Sequence, residues 1–137
     1  MGKKKGKLNW QPISFLPQLA VMIDGMLESA RESYGPFRQI SVHDDFTLKR
    51  VSEVTGQQIE DEWLYDTQLD KWSKLSGLKP AQRDEIKRLQ GQMDALKKVN
   101  RDIMAIVEEH KDKTIEKVMA KSDVELGLEF LMGKLKL

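Results

Sequence analysis

The sequence predicts an all-α protein, a helical bundle built on a long antiparallel helical hairpin. Three observations carry that expectation. Apolar residues recur every three to four positions through long stretches, which gathers them on one side of a helix. Only 4 prolines and 9 glycines interrupt the 137 residues, so long regular elements can persist. From Ile86 to His110 the apolar residues keep a heptad spacing, the pattern by which helices pack side by side in coiled coils.

The start of the chain differs from the rest. Lys3, Lys4, Lys5 and Lys7 hold 4 of the 23 basic residues, and without them the 22 acids outnumber the bases. Residues 1–12 therefore read as a basic flexible tail, and residues 13–137 as one helical domain with a single core. The apolar run after the lysines resembles a secretory leader only superficially, because Pro17 and Gln18 interrupt it and Asp24 ends it. No segment approaches the ~18 apolar residues of a membrane span. The absence of cysteine removes disulfides, thiolate metal sites and a thiol nucleophile, and suits a reducing cytoplasm.

The first helix is expected over residues 15–34, where Leu16, Leu19, Ala20, Ile23, Met26, Leu27, Ala30 and Tyr34 recur at helical spacing. Gly35 and Pro36 should stop it. After a connection, Asp44 or Asp45 can cap a second helix over 45–76 by accepting its free amide hydrogens. On a helical wheel this helix reads as carrying two stripes. Phe46, Val51, Val54, Leu64, Tyr65, Leu69, Trp72 and Leu75 form the main one; Leu48, Ile59 and Trp63 form another. Two stripes imply two partners, so the second helix is expected to be central or to lie at a subunit interface.

A third helix should begin at Pro80, a favoured first-turn residue, and run to about 111. Ile86, Leu89, Met93, Leu96, Asn100, Ile103, Val107 and His110 form its seam, which Val99, Met104 and Ile106 widen towards the end. One neighbour is expected near its start and two or more near its end. The short link Gly77–Lys79 forces an antiparallel hairpin, with Ile59 expected opposite Leu96. Thr114 can cap a short helix containing Ile115, Val118 and Met119. Ser122 and Glu125 make a capping box for another, with Val124, Leu126, Leu128, Phe130 and Leu131, ending at Gly133. Both short helices are expected to pack over the first helix.

Little in the sequence points to catalysis. His43 and His110 are the only histidines, and Val107 stands where a di-iron bundle helix would place a glutamate. No phosphate-binding glycine loop, nucleophile elbow or triad is legible. No catalytic residue, cofactor or metal ligand is therefore assigned, and an enzyme is disfavoured. The acids are more suggestive. Glu62, Asp66 and Asp70 stack at i, i+4 and i+8, and Asp24, Glu28 and Glu32 repeat the arrangement. Like charges at that spacing cost ~0.2–0.5 kcal/mol per pair. Arg83, Lys87 and Arg88 can neutralise the Glu62 row within the hairpin. Otherwise the row offers a dock for a basic protein segment, such as another copy's lysine tail, or for a divalent cation.

Asn100 interrupts an apolar row, a device that fixes register or oligomeric state unless it bonds to Thr55 or Ser52 across the hairpin or simply reaches solvent. Leu48, Ile59, Trp63 and Asn100 are the interface candidates. The expected function is a non-enzymatic helical interaction or structural module that self-associates, with a homodimer favoured. The alternative is a nonspecific nucleic-acid-associated protein using the lysine tail, which the acidic body and the lack of interleaved aromatics disfavour. A carboxylate-rich metal-binding protein is the third reading.

Overall fold

A computed structural model of the chain describes residues 9–120, and every regular element within them is helical. After a single turn of 3-10 helix at Ile13–Phe15, three long helices follow: α1 (Leu16–Phe37), α2 (Asp45–Ser73) and α3 (Pro80–His110). A further helical segment covers 115–120. The capping box at Ser122 and the apolar residues after it lie outside the described residues.

Local chemistry sets the helix ends. Asp44 caps α2, its carboxylate accepting from the Thr47 N–H at 3.2 Å. The helix stops at Ser73, three residues before the expected Ser76. Gly77, at φ +75°, makes the left-handed turn that a side chain would resist. Pro80 opens α3 as expected, and the Gln82 side chain accepts from the Lys79 N–H. α1 overruns its expected stop. Pro36 sits inside its last turn, and the helix continues to Phe37 because that ring is buried against Leu48, Ile103 and Val107. Burial of a phenylalanine is worth about 1.5–3 kcal/mol, enough to offset a lost backbone bond.

The three helices run up, down and up. Asp24 on α1 meets Arg88 on α3, and Phe37 packs with Ile103, so α1 and α3 are parallel. Glu62 meets Asn100 and Asp66 meets Lys97, so α2 and α3 are antiparallel. That register sets position 59 against the region of Ile103 rather than Leu96; Ile59 and Leu96 lie roughly 11 Å apart along the axis.

The central helix is α3, not α2. It packs along both neighbours, whereas α1 and α2 make few direct contacts with each other. Every heptad residue from Ile86 to Val107 is buried on it. Even its first turns meet two helices, because parallel α1 begins level with them and supplies Leu16, Leu19, Ala20, Ile23 and Leu27. On α2 the single inward face is Leu48, Val51, Thr55, Glu62, Tyr65, Leu69 and Trp72. Leu48, Thr55, Glu62 and Leu69 are seven residues apart, which returns each to the same side of a helix. Phe46 and Val54, expected on the main face, are 74% and 53% exposed. Polar Thr55 and Glu62 within the seam hide the true stripe from a reading of apolar residues alone.

Candidate docking groove

The core has two parts. At the end where α3 begins, Leu69, Trp72 and Leu78 join the apolar faces of α1 and α3. There the residues before α1 fold across α2. The Gln11 N–H donates to the Gln68 side-chain oxygen at 2.7 Å, and the Trp72 indole N–H donates to the Gln11 carbonyl at 2.9 Å. Trp10 meets Trp63 edge-on at 6.1 Å, with the Lys71 ammonium over its ring at 5.3 Å. This strap and the Trp72 indole close that end of the bundle.

At the other end the described residues leave the space between α1 and α2 open. A groove of about 420 Å³ runs between Glu32, Ser33 and Pro36 on α1 and Arg50, Val51 and Val54 on α2, with Phe37 and Ile103 among its lining. It follows from the packing. Both helices lean on α3, and Phe37, which packs with Leu48 at this end, forms part of the groove's lining rather than filling it. Val54 on its wall and Ile40 on its border are both largely exposed. Phe46 stands one turn before Arg50 on the same side of α2. Contiguous exposed apolar surface of this kind marks association sites in soluble proteins. Its two walls carry opposite charges, Glu32 on α1 and Arg50 on α2. Neither takes part in an ion pair among the described residues.

The residues singled out from sequence are spread through the molecule. Leu48 belongs to the buried cluster around Phe37. Ile59 is half-buried, and half-buried Trp63 lies beside Trp10 of its own chain. Asn100 is 1% exposed and donates to the Glu62 carboxylate at 3.1 Å, in place of Thr55 or Ser52. Glu62 is itself buried, and the Arg101 guanidinium completes its pairing at 3.2 Å. Asp66 pairs with Lys97, and Asp70 with Lys74 at 3.0 Å. The row Glu62, Asp66 and Asp70 thus meets cations within its own chain. These are Arg101 and Lys97, set opposite by the antiparallel register, and Lys74 one turn beyond Asp70, rather than Arg83, Lys87 and Arg88. Arg88 instead holds α1, forking onto the Asp24 carboxylate at 3.0 and 2.8 Å. Hydrogen bonds from Arg88 and Gln92 keep the Asp24 carboxyl below the usual carboxylate range despite some desolvation.

Two groups far apart in sequence are brought together. His43 and His110 meet edge-to-face at 5.0 Å, and Phe37 lies 4.5 Å from the His43 ring. No spacing in the sequence signals this pair, because the turn after α1 and the end of α3 meet only when the bundle closes. Among the described residues no group of three or more histidine, cysteine, aspartate or glutamate side chains is placed to hold a metal ion. No helix among them is long and apolar enough to cross a membrane. The lysines at positions 3, 4, 5 and 7, on which the nucleic-acid reading rests, lie outside the described residues. Comparison of the chain with protein-family models, with curated proteins and with solved structures finds no match.

Proposed function

We propose that this chain is a non-enzymatic helical interaction module, and that the groove between α1 and α2 docks a second copy of the same chain. The supporting observation is the pairing of exposed apolar surface with opposite charges on its two walls. In a two-fold dimer each contact occurs twice, so a surface must complement itself. Glu32 and Arg50 meet that condition. Turning a second groove over onto the first sets each glutamate against the other copy's arginine. Val54, Ile40 and Phe46 supply the apolar area, with Phe46 alone offering about 150–250 Å². Rim charges of this kind set orientation, and the apolar centre supplies most of the affinity.

The proposal is tested by sedimentation velocity on the wild-type chain and on Val54→Glu. Val54 is half exposed in the single chain, so the substitution should leave helical content by circular dichroism unchanged. In the dimer it would bury an unpaired carboxylate, weakening association by at least about tenfold. Equal association in the two proteins would remove the groove from the interface. A wild-type chain that stays monomeric but takes up a small apolar probe would make the groove a ligand site instead.

A further inference from the structure

We propose that His43 is a pH-sensitive latch: its neutral ring holds the 114–120 segment against the start of α2 and the end of α3, and its protonation releases that segment. The proposal is independent of what docks in the groove.

His43 is 2% exposed, and among the described residues neither of its ring nitrogens has a hydrogen-bond partner; Nδ1 of His110 is buried and equally bare among them. The ring packs between Phe37 and His110, an apolar face and another imidazole. Phe37 has no acceptor for an imidazolium, and no hydrogen bond joins the His43 ring to that of His110. The charged and titratable groups on the surrounding elements are otherwise engaged or turned to solvent. At the end of α1, Arg38 lies over the Tyr34 ring at 5.6 Å. At the start of α2, the Asp44 carboxylate caps Thr47, and Asp45 pairs with Lys117 at 3.9 Å. At the end of α3, Lys111 pairs with Glu108 at 2.6 Å, and Glu109 is exposed. On the terminal segment, Glu116 accepts from the Asp45 N–H at 2.9 Å. A proton on His43 can be solvated only if the ring leaves its site.

Leaving has a structural consequence. The carbonyl of His43 accepts from the Ile115 N–H at 2.8 Å, so the residue that must move also anchors the first turn of the terminal segment. Thr114 beside it is fully buried, and its hydroxyl caps the turn by accepting from the Lys117 N–H at 3.4 Å. The buried ring and the anchoring carbonyl thus belong to one residue, and the latch requires that expulsion of the ring displace the carbonyl.

Burial, with a smaller contribution from His110, lowers the His43 pKa below its ordinary 6.5, while Asp44 opposes the change weakly. A depressed pKa in the docked state means that the released state binds more protons in this range. Docking strength is then fully present above pH 6.5 and falls as pH drops towards the docked-state pKa.

The chain has no cysteine, so one engineered thiol can be labelled cleanly. A nitroxide on Met119→Cys in the full chain should tumble more freely as pH falls from about 8 to about 5, with its midpoint below 6.5. A label on Ala81→Cys, at the start of α3, should not change. In His43→Leu, which fills the site without titrating, the Met119 label should stay immobile throughout. Proton NMR of the wild-type His43 ring provides a second reading that does not depend on the variant folding. Its titration must coincide with the release. A pH-independent Met119 label, an unchanged transition in His43→Leu, or titration and release at different pH would each overturn the latch.

Discussion

Asn100 and Glu62 form a polar layer inside an otherwise apolar seam, and a single amide decides whether that layer is tolerable. Glu62 is 5% exposed, and among the described residues its carboxylate has Asn100 and half-exposed Arg101 as its side-chain partners. Asn100→Ala removes the one donor that is itself fully buried. The carboxylate is then left with a single charged partner at the edge of the interface, at a cost of about 1–3 kcal/mol. Urea denaturation should register that loss, whereas the double change Asn100→Leu with Glu62→Leu should recover most of it. Replacing a complete buried polar pair by apolar side chains is often near neutral. An unchanged midpoint for Asn100→Ala would mean that water already satisfies Glu62. The layer also accounts for register: sliding α2 along α3 by one turn would set the carboxylate against an apolar row.

The elements differ in how far the sequence disclosed them. Helix α3 was legible almost residue by residue, because its seam holds one polar side chain among seven buried positions. Helix α2 was legible in extent but only partly in orientation. Thr55 and Glu62 occupy inward positions between Leu48 and Leu69, while Phe46 and Val54 face outward. The apolar stripe is therefore right at Val51, Tyr65, Leu69 and Trp72 and wrong near the start of the helix. Polar residues earn such places only through partners on another helix, and those cannot be read from α2 alone. The end of α1 was misjudged for a similar reason: the burial of Phe37 outweighs the local preference of Gly35 and Pro36. The strap at 10–12 looks like tail in the sequence because its lysine neighbours dominate the composition. Its tie to α2 can be measured. Removing residues 1–7 should leave the thermal midpoint within a few degrees. Removing residues 1–15 deletes Trp10 and the carbonyl that accepts from Trp72, and should cost about 2–4 kcal/mol. Equal midpoints for the two truncations would show that the strap contributes nothing to stability.

Over the whole bundle, the described residues close the lower end and leave the upper end open. Trp72, Leu78 and the strap fill the space between α1 and α2 where α3 begins. Near Phe37 the same space remains a groove walled by side chains of opposite charge. That asymmetry emerges only from how two helices diverge over a third, which is why periodicity within each helix gave no sign of it. The His43 latch lies close by, since Phe37 touches His43 and also lines the groove. Self-association through the groove is tested most directly by a charge-reversal cycle in sedimentation equilibrium. The wild-type chain should dimerise. Glu32→Arg alone and Arg50→Glu alone should each weaken dimerisation by roughly tenfold, because each sets like charges together at both ends of the interface. The double variant Glu32→Arg with Arg50→Glu should return to near the wild-type constant. A wild-type monomer at every concentration, or a double variant no stronger than the single ones, would contradict a two-fold dimer built on this groove.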